Sequence, residues 1–300
     1  MSKIIVIGSS NTDLAIKTIR IPEPGETVMG GTFMMTAGGK GANQAVAVAR
    51  LGGDVAFVTK VGDDMFGDES RARYVKEGLP EKFLLVEKGT PSGVALITVD
   101  ARGENCIVVA PGANNALTCA DVDAVRDEIA AADYLLLQLE IPMEVVEHAA
   151  EVAVANGTKV ILNPAPAAEL SKTLIESLYL ITPNRTECQL LSGVAIANEA
   201  DAEAAAGKLM EMGVKNVIVT LGSKGSLVRT AEGCTVVEAC RVESVDTTAA
   251  GDVFNGALCV ALSEGKDLVE AARFASRASA ISVTRMGAQS SVPYRAELGE

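Results

Sequence analysis

A single histidine, His148, is present among the 300 residues. One imidazole excludes Ser-His-Asp hydrolysis and His-rich metal sites, and its Glu147-His148-Ala149-Ala150 setting reads as a solvated helix position. CxxC pairing is also absent. The six cysteines, at 106, 119, 188, 234, 240 and 259, stand apart and read as reduced thiols. No apolar run approaches the ~18 residues of a membrane span, and the opening MSKIIVIGSS carries too short an apolar stretch for the core of an export signal. The expectation is a cytoplasmic protein with no membrane partner. Basic excess is missing too: 26 Lys and Arg against 39 Asp and Glu give a formal charge of −13, so the basic stripe of a nucleic-acid surface is not there. Anionic substrates stay open, because Mg²⁺ and a local helix terminus can hold phosphates inside a negatively charged protein.

What is present is enough apolar material, 48% of residues, for a large core. Lys3 to Gly8 is a compact β-branched run, the pattern of a central strand buried on both faces. The following Gly8-Ser9-Ser10-Asn11-Thr12-Asp13 lacks G-x-G-x-x-G spacing, which excludes a dinucleotide fingerprint. Asn11 and Asp13 are candidates for gripping a polar ligand, with a simple turn as the competing reading. Residues 14–19 and 31–36, separated by Pro22-Glu23-Pro24-Gly25, read as strands of a small sheet. The hairpin of 93–99 and 106–109 would complete it. The expected organisation is a single α/β domain over 1–300, with a β lid formed by about 12–36 and 91–110.

Gly38-Gly39-Lys40-Gly41-Ala42-Asn43-Gln44 opens a helical pattern but is not a Walker A loop, since Lys40 is followed by Gly41. Its glycines permit close approach of a ligand, and Lys40 and Asn43 add a charged donor and a bifunctional amide. From residue 117 onward, helix 120–131, strand 133–139, helix 142–156, strands 159–163 and 178–182, helix 201–213, strand 216–221 and helix 266–283 are expected. Their alternation predicts a doubly wound, mainly parallel sheet flanked by helices. Polar residues collect past strand ends, at Gln138, Glu140, Asn163, Asn184, Glu187, Thr220 and Gly222, and in open α/β sheets that edge is the ligand edge.

The stretch Val245 to Ala257 organises the rest. Small residues at 249–251 precede a helix whose buried face is Val253, Phe254, Ala257 and Leu258. Such a helix start offers unpaired N–H donors to an anion. Asp252 either caps that helix or takes a proton from a hydroxyl beside the anion loop.

Taken in register, Asn11-Thr12-Asp13, the 38–44 loop, Asn163-Pro164-Ala165-Pro166-Ala167, Thr182-Pro183-Asn184 with Glu187, Thr220 to Gly225 and Asp246 to Asp252 resemble the ribokinase (PfkB) family of carbohydrate kinases. The glycine loop is similar to that of ribose-specific members more than to those of fructokinases or adenosine kinases. The resemblance implies a ribokinase-like fold and ATP-dependent phosphorylation of D-ribose at its 5-hydroxyl. It implies Asp252 as general base, with the loop of Ala249, Ala250, Gly251 and Asp252 as the anion hole, lined by the N–H groups of Ala250, Gly251 and Asp252. Asn11, Asp13, Gly39, Lys40, Asn43, Glu140 and Asp252 would hold the sugar. Asn184, Thr220, Leu221, Gly222, Ser223, Lys224, Gly225, Gly251 and Ser276 would line the ATP site. Glu187 would place Mg²⁺ through water. Asp246, Thr248, Ser282, Arg285, Gly287 and Ser291 match the positions around an activating K⁺, with backbone carbonyls serving at Thr248 and Ser282. A homodimer formed through the lid is implied as well.

Two other readings compete: a kinase of the same fold acting on 2-deoxyribose, a nucleoside or a ketose, and a non-catalytic sugar sensor. Asp13 favours ribose among sugars, and the intact Asp252 with its loop disfavours the sensor.

Overall fold

The computed structural model describes residues 3–299. In its first third, β1 (Ile4–Ile7), β2 (Asn11–Lys17) and β3 (Thr32–Gly38) lead into α1 (Lys40–Arg50), β4 (Val55–Gly62), α2 (Met65–Lys76) and β5 (Leu84–Glu87). Then follow β6 (Gly93–Val99), β7 (Asn105–Ala110), α3 (Cys119–Asp123), α4 (Arg126–Ala131), β8 (Tyr134–Leu137), α5 (Met143–Ala155) and β9 (Lys159–Leu162). After these come α6 (Lys172–Ser177), β10 (Leu178–Ile181), α7 (Arg185–Ser192), α8 (Glu199–Glu211) and β11 (Val217–Thr220). The chain ends with β12 (Ser226–Thr230), β13 (Gly233–Val237), α9 (Ala250–Ser263) and α10 (Leu268–Ser282).

Nine strands form one sheet in the order β13-β12-β11-β10-β9-β8-β1-β4-β5, in which only β12 runs against the rest, antiparallel to both β11 and β13. Its central strands are buried on both faces, as continuous Val/Ile/Leu runs require. Alternate residues feed two cores. Ile5, Ile7, Leu135 and Leu137 pack with Val145, Ala149, Ala205 and Leu209, while Ile4, Val6 and Leu136 pack with Val46, Val253, Ala257 and Phe274. The helices α1, α9 and α10 therefore cover one face and α5 and α8 the other. This is the doubly wound arrangement expected from the alternating pattern.

A second sheet of four strands runs β3-β2-β6-β7. Register gives its faces separate characters. Asp13 lies across from Thr36 and Ala95 on one face, whereas Leu14 pairs with Met35 and Leu96, and Leu96 with Val108, on the other.

Several elements differ from the sequence reading. Asn11 and Asp13 open strand β2 rather than a turn, because β2 pairs with both β3 and β6 along its full length. The helix expected over 120–131 is two short helices. Val125, with φ −114° and ψ 18°, interrupts it and puts its own side chain into the core with Val122 and Ile129. β5, α6 and the β12-β13 hairpin had no counterpart in the sequence reading; each is short, and burial or pairing rather than a strong repeat defines it.

Candidate active site

The polar residues at the carboxyl edge of the sheet surround a cavity of about 230 Å³ lined by Lys40, Asn163, Thr182, Asn184, Glu187, Thr220, Asn255 and the 247–252 loop among others. One wall is the start of α9. Its N-cap, Ala249, has φ 58°, the only positive φ of a non-glycine among the described residues, and offers no side-chain cap. Left-handed backbone at an alanine is strained. The N–H groups of Gly251 and Asp252 have no protein acceptor among the described residues, whereas that of Ala250 is donated to the Thr247 carbonyl at 3.2 Å. Two of the three amides expected in an anion hole are therefore open to a ligand.

Asp252 is buried and sits between two amides of α1. Asn43 Nδ2 donates to its Oδ2 and Gln44 Nε2 to its Oδ1, each at 2.9 Å. Burial pushes its carboxyl up from the ordinary value, against the Lys40 ammonium and the two amide donors, which favour the charged form. Lys40 in turn stands among Asp252, Glu140, Glu187 and Asp13; burial opposes its charge, yet these carboxylates raise its pKa overall. Asp13 is pushed up to about 6 by burial first and then by Glu140 and Asp252. Its side chain lies directly over Gly38, where a Cβ would come within 2.2 Å of the carboxylate. Glycine is required there.

The remaining sugar-site candidates gather at the same end of the molecule. Glu140 accepts from Ser9 Oγ at 2.5 Å and from the Lys40 N–H at 2.9 Å, which ties the β8 exit to the glycine loop. Asn11 Oδ1 accepts from Asn114, which leaves the Asn11 amide nitrogen for a ligand. Gly39, with φ 87°, abuts the Ser10 and Asn11 backbone and starts α1. Asn43 Oδ1 is buried without a partner among the described residues, an acceptor that a sugar hydroxyl would satisfy.

On the opposite side of the cavity, Asn184 and Glu187 form a reciprocal cap at the start of α7, and Asn184 bridges to Thr220 at the ends of neighbouring strands. Glu187 spends one oxygen on the Asn184 N–H; burial pushes its pKa up. No cluster of three ligating side chains exists among the described residues. The donor set fits Mg²⁺ carried by phosphates and water beside Glu187 rather than a protein cage. Leu221, Gly222, Ser223, Lys224 and Gly225 form the turn beyond Thr220, and Ser276 is half-buried on α10; all lie outside the lining of the cavity.

The positions matched to a monovalent cation form two facing loops. Asp246 accepts from the Thr248 N–H and hydroxyl and from the Gly287 N–H at 2.9, 2.6 and 2.8 Å, and these bonds hold its carboxyl below the ordinary range despite burial. The side chains of Ser282 and Ser291 donate to the local carbonyls of Ser279 and Ala288, and Arg285 pairs with Glu297. The hydroxyl hydrogens of Ser282 and Ser291 are thus spent locally, and Asp246 ties the two loops together through Thr248 and Gly287.

Some participants were not singled out from sequence. Gln44, Thr182, Asn255 and Ser279 join the network, the last by donating to the Ala250 carbonyl at 2.9 Å. Asn255 was detectable, being four residues beyond Gly251 on one helix face and donating to its carbonyl at 2.8 Å.

Comparison with known proteins shows the family. Residues 1–295 match the family described as pfkB family carbohydrate kinase. This chain belongs to the pfkB family. Among its relatives, a ribokinase from Haemophilus influenzae is 44% identical over 97% of this chain and 95% of its own length. A deoxyribokinase from Salmonella typhi is 39% identical over 99% of this chain and 97% of its own. A structure of Arabidopsis thaliana ribokinase complexed with ribose and ATP has TM-score 0.91 and 32% identity, covering 99% of this chain and 97% of that one. In this pfkB kinase the buried carboxylate, the open helix start and the lysine converge on one cavity.

Proposed function

We propose that this kinase transfers the γ-phosphoryl group of ATP to the 5-hydroxyl of D-ribose, giving ribose 5-phosphate and ADP. The observation that carries the reading is Asp252, a buried carboxylate held at both oxygens beside the unpaired Gly251 and Asp252 amides. Asp252 takes the hydroxyl proton as the new O–P bond forms and the bond to the β-phosphate oxygen breaks. The amides of the α9 start and Lys40 stabilise charge on the transferring group. Magnesium, when bound with ATP beside Glu187, supplies charge neutralisation at the phosphates. Asn11, Asp13, Gly39, Asn43 and Glu140 hold the ring hydroxyls. Asn184, Thr220, the 221–225 turn and Ser276 face the nucleotide.

Three further parts belong to the reading. The four-stranded sheet, whose Asp13 face looks toward the cavity, acts as a lid that excludes water from ATP. The loops at 246–248 and 282–291 hold an activating K⁺ through backbone carbonyls. The outer face of the sheet, with Phe33, Leu96 and Val108 at 61%, 54% and 63% exposure, pairs two chains as a homodimer. A cytoplasmic location suits six free cysteines, and no helix among the described residues is long and apolar enough to cross a membrane.

The test is ADP release with Mg-ATP and D-ribose, 2-deoxyribose, fructose or adenosine, in K⁺ or an inert large cation. Turnover on ribose that depends on K⁺ is expected. The deoxyribokinase relative makes 2-deoxyribose the second reading, and a preference for it would change the sugar and leave the mechanism standing.

A further inference from the structure

The two amides on Asp252 are not equivalent. Asn43 makes one bond to the carboxylate and has a free oxygen, whereas every polar atom of the Gln44 amide is committed. Its Nε2 donates to Asp252 Oδ1 at 2.9 Å and to Asn163 Oδ1 at 3.0 Å, and its Oε1 accepts from Gln138 Nε2 at 2.6 Å. Asn163 is itself oriented, because its Nδ2 donates to the Thr182 carbonyl at 3.3 Å. Reversing the Gln44 amide would set its oxygen against two acceptors and its nitrogen against a donor, so a single orientation survives. The chain continues: Thr182 Oγ1 donates to Asn255 Oδ1 at 2.6 Å, and Asn255 Nδ2 donates to the Gly251 carbonyl at 2.8 Å. The base and the anion loop are thus the two ends of one buried run of directed hydrogen bonds. Its backbone support is Gly256, where a Cβ would come within 2.8 Å of the Gln44 carbonyl and 2.6 Å of the Ala47 side chain. That contact seats α9 directly on α1.

We propose that Gln44, oriented from behind by Gln138 and braced by Asn163, is the positioning residue that fixes the direction of the Asp252 carboxylate for proton removal. The inference rests on the reading of Asp252 as the base. Four charged groups also act on that carboxylate: Lys40 from α1, Asp13 from β2, Glu140 past β8 and Glu187 from α7. All of them remain in the variants below, so a changed pH response reports the amide. Removing the Gln44 donor takes away one bond that favours the ionised base, so the base holds its proton to higher pH.

Native enzyme, Gln44→Met, Gln44→Glu and Gln138→Leu are compared by ADP release on ribose from about pH 5 to about pH 9, with thermal melting to establish folding. Gln44→Met is expected to lower kcat by ~10- to 100-fold at neutral pH, leave the ribose KM nearly unchanged and move the acidic limb of the kcat profile to higher pH. Gln44→Glu has the same shape but opposes Asp252 with a second carboxyl, so its limb moves further. Gln138→Leu, which does not touch Asp252, moves the limb in the same direction by less, and it decides the matter alone should both Gln44 variants fail to fold. A folded Gln44 or Gln138 variant with lower kcat and an unmoved limb overturns the proposal, as does a variant that loses ribose affinity and kcat together. Asp252→Asn separates the two levels: if it keeps turnover, the base itself is misassigned, whereas if it is inactive and the Gln44 and Gln138 profiles are native, only the positioning role fails.

Discussion

Asn43 donates to Asp252 Oδ2 at 2.9 Å while the other end of the same amide, Oδ1, is buried with no partner among the described residues. The pair can therefore be rearranged without loss. In Asp252→Asn the new amide nitrogen needs an acceptor. Gln44 cannot turn, because Asn163, held by the Thr182 carbonyl, keeps an acceptor against its nitrogen, but Asn43 can. The fold is expected to persist, with ribose affinity within about tenfold of native and kcat lower by ~10³. Calorimetric titration of ribose beside steady-state ADP release checks this. Affinity falling in step with kcat would contradict the role.

With Asp13 holding the ring hydroxyls as proposed, ribose binding is expected to be sensitive to acid. Its carboxyl is pushed up to about 6, so in the free enzyme it becomes protonated as pH falls through that value and stops accepting two hydroxyl hydrogens. The ribose KM is expected to be flat above pH 6 and to rise below it. Stability runs the other way. Between 3.8 and about 6 the folded state keeps a proton that the unfolded chain has lost, so Asp13 subtracts stability above that window and nothing below it. Melting curves of Asp13→Asn should lie above native at neutral pH and coincide with it under acid.

Glu187→Gln keeps the oxygen that accepts from the Asn184 N–H, so α7 retains its cap. Only the charge beside the phosphates is lost. The Mg²⁺ concentration for half-maximal rate should rise by ~10-fold, measured by Mg²⁺ titration at fixed ATP, with a melting temperature no lower than native at neutral pH. An unaltered Mg²⁺ requirement would remove Glu187 from this role.

Leu96 stands between Leu14 and Val108 on the outer face of the small sheet and is 54% exposed. Leu96→Glu introduces two buried charges into any self-paired face and should give monomers in sedimentation equilibrium. A native protein that sediments as a monomer would dismiss the dimer.

Gly256→Ala tests the seating of α9 on α1. The added methyl meets Ala47 and the Gln44 backbone, and overpacking of this kind costs ~1–3 kcal/mol. The melting temperature should fall, and kcat should fall more than that of an Ala→Val substitution elsewhere in the same core of equal stability cost.

Residues from single segments were the most readable in the sequence. The glycine loop, the α9 start and the Asn184-Glu187 cap are each local patterns, and the resemblance they carry in register is what gave them a proposed role. The mainly parallel sheet followed from the alternation of elements and from strands such as β1 and β8 that are apolar on every residue. What stayed hidden depends on neighbours that are distant in the chain. Gln44 had the look of an ordinary helix residue, and only the approach of Gln138, Asn163 and Asp252 gives its amide a direction. The break at Val125 was hidden for a similar reason: no glycine or proline marks it, and the pull of a buried side chain produced it.

The contact across Gly256 also orders events in time. Gln44 and Asp252 are 208 residues apart in sequence, and α9 follows every strand of the large sheet. A chain emerging from the ribosome can pair all thirteen strands while one face of the sheet still lacks α9 and α10. With the arrival of α9, Asp252, the proposed base, first meets Gln44. A chain that stops short of α9 therefore lacks the proposed base.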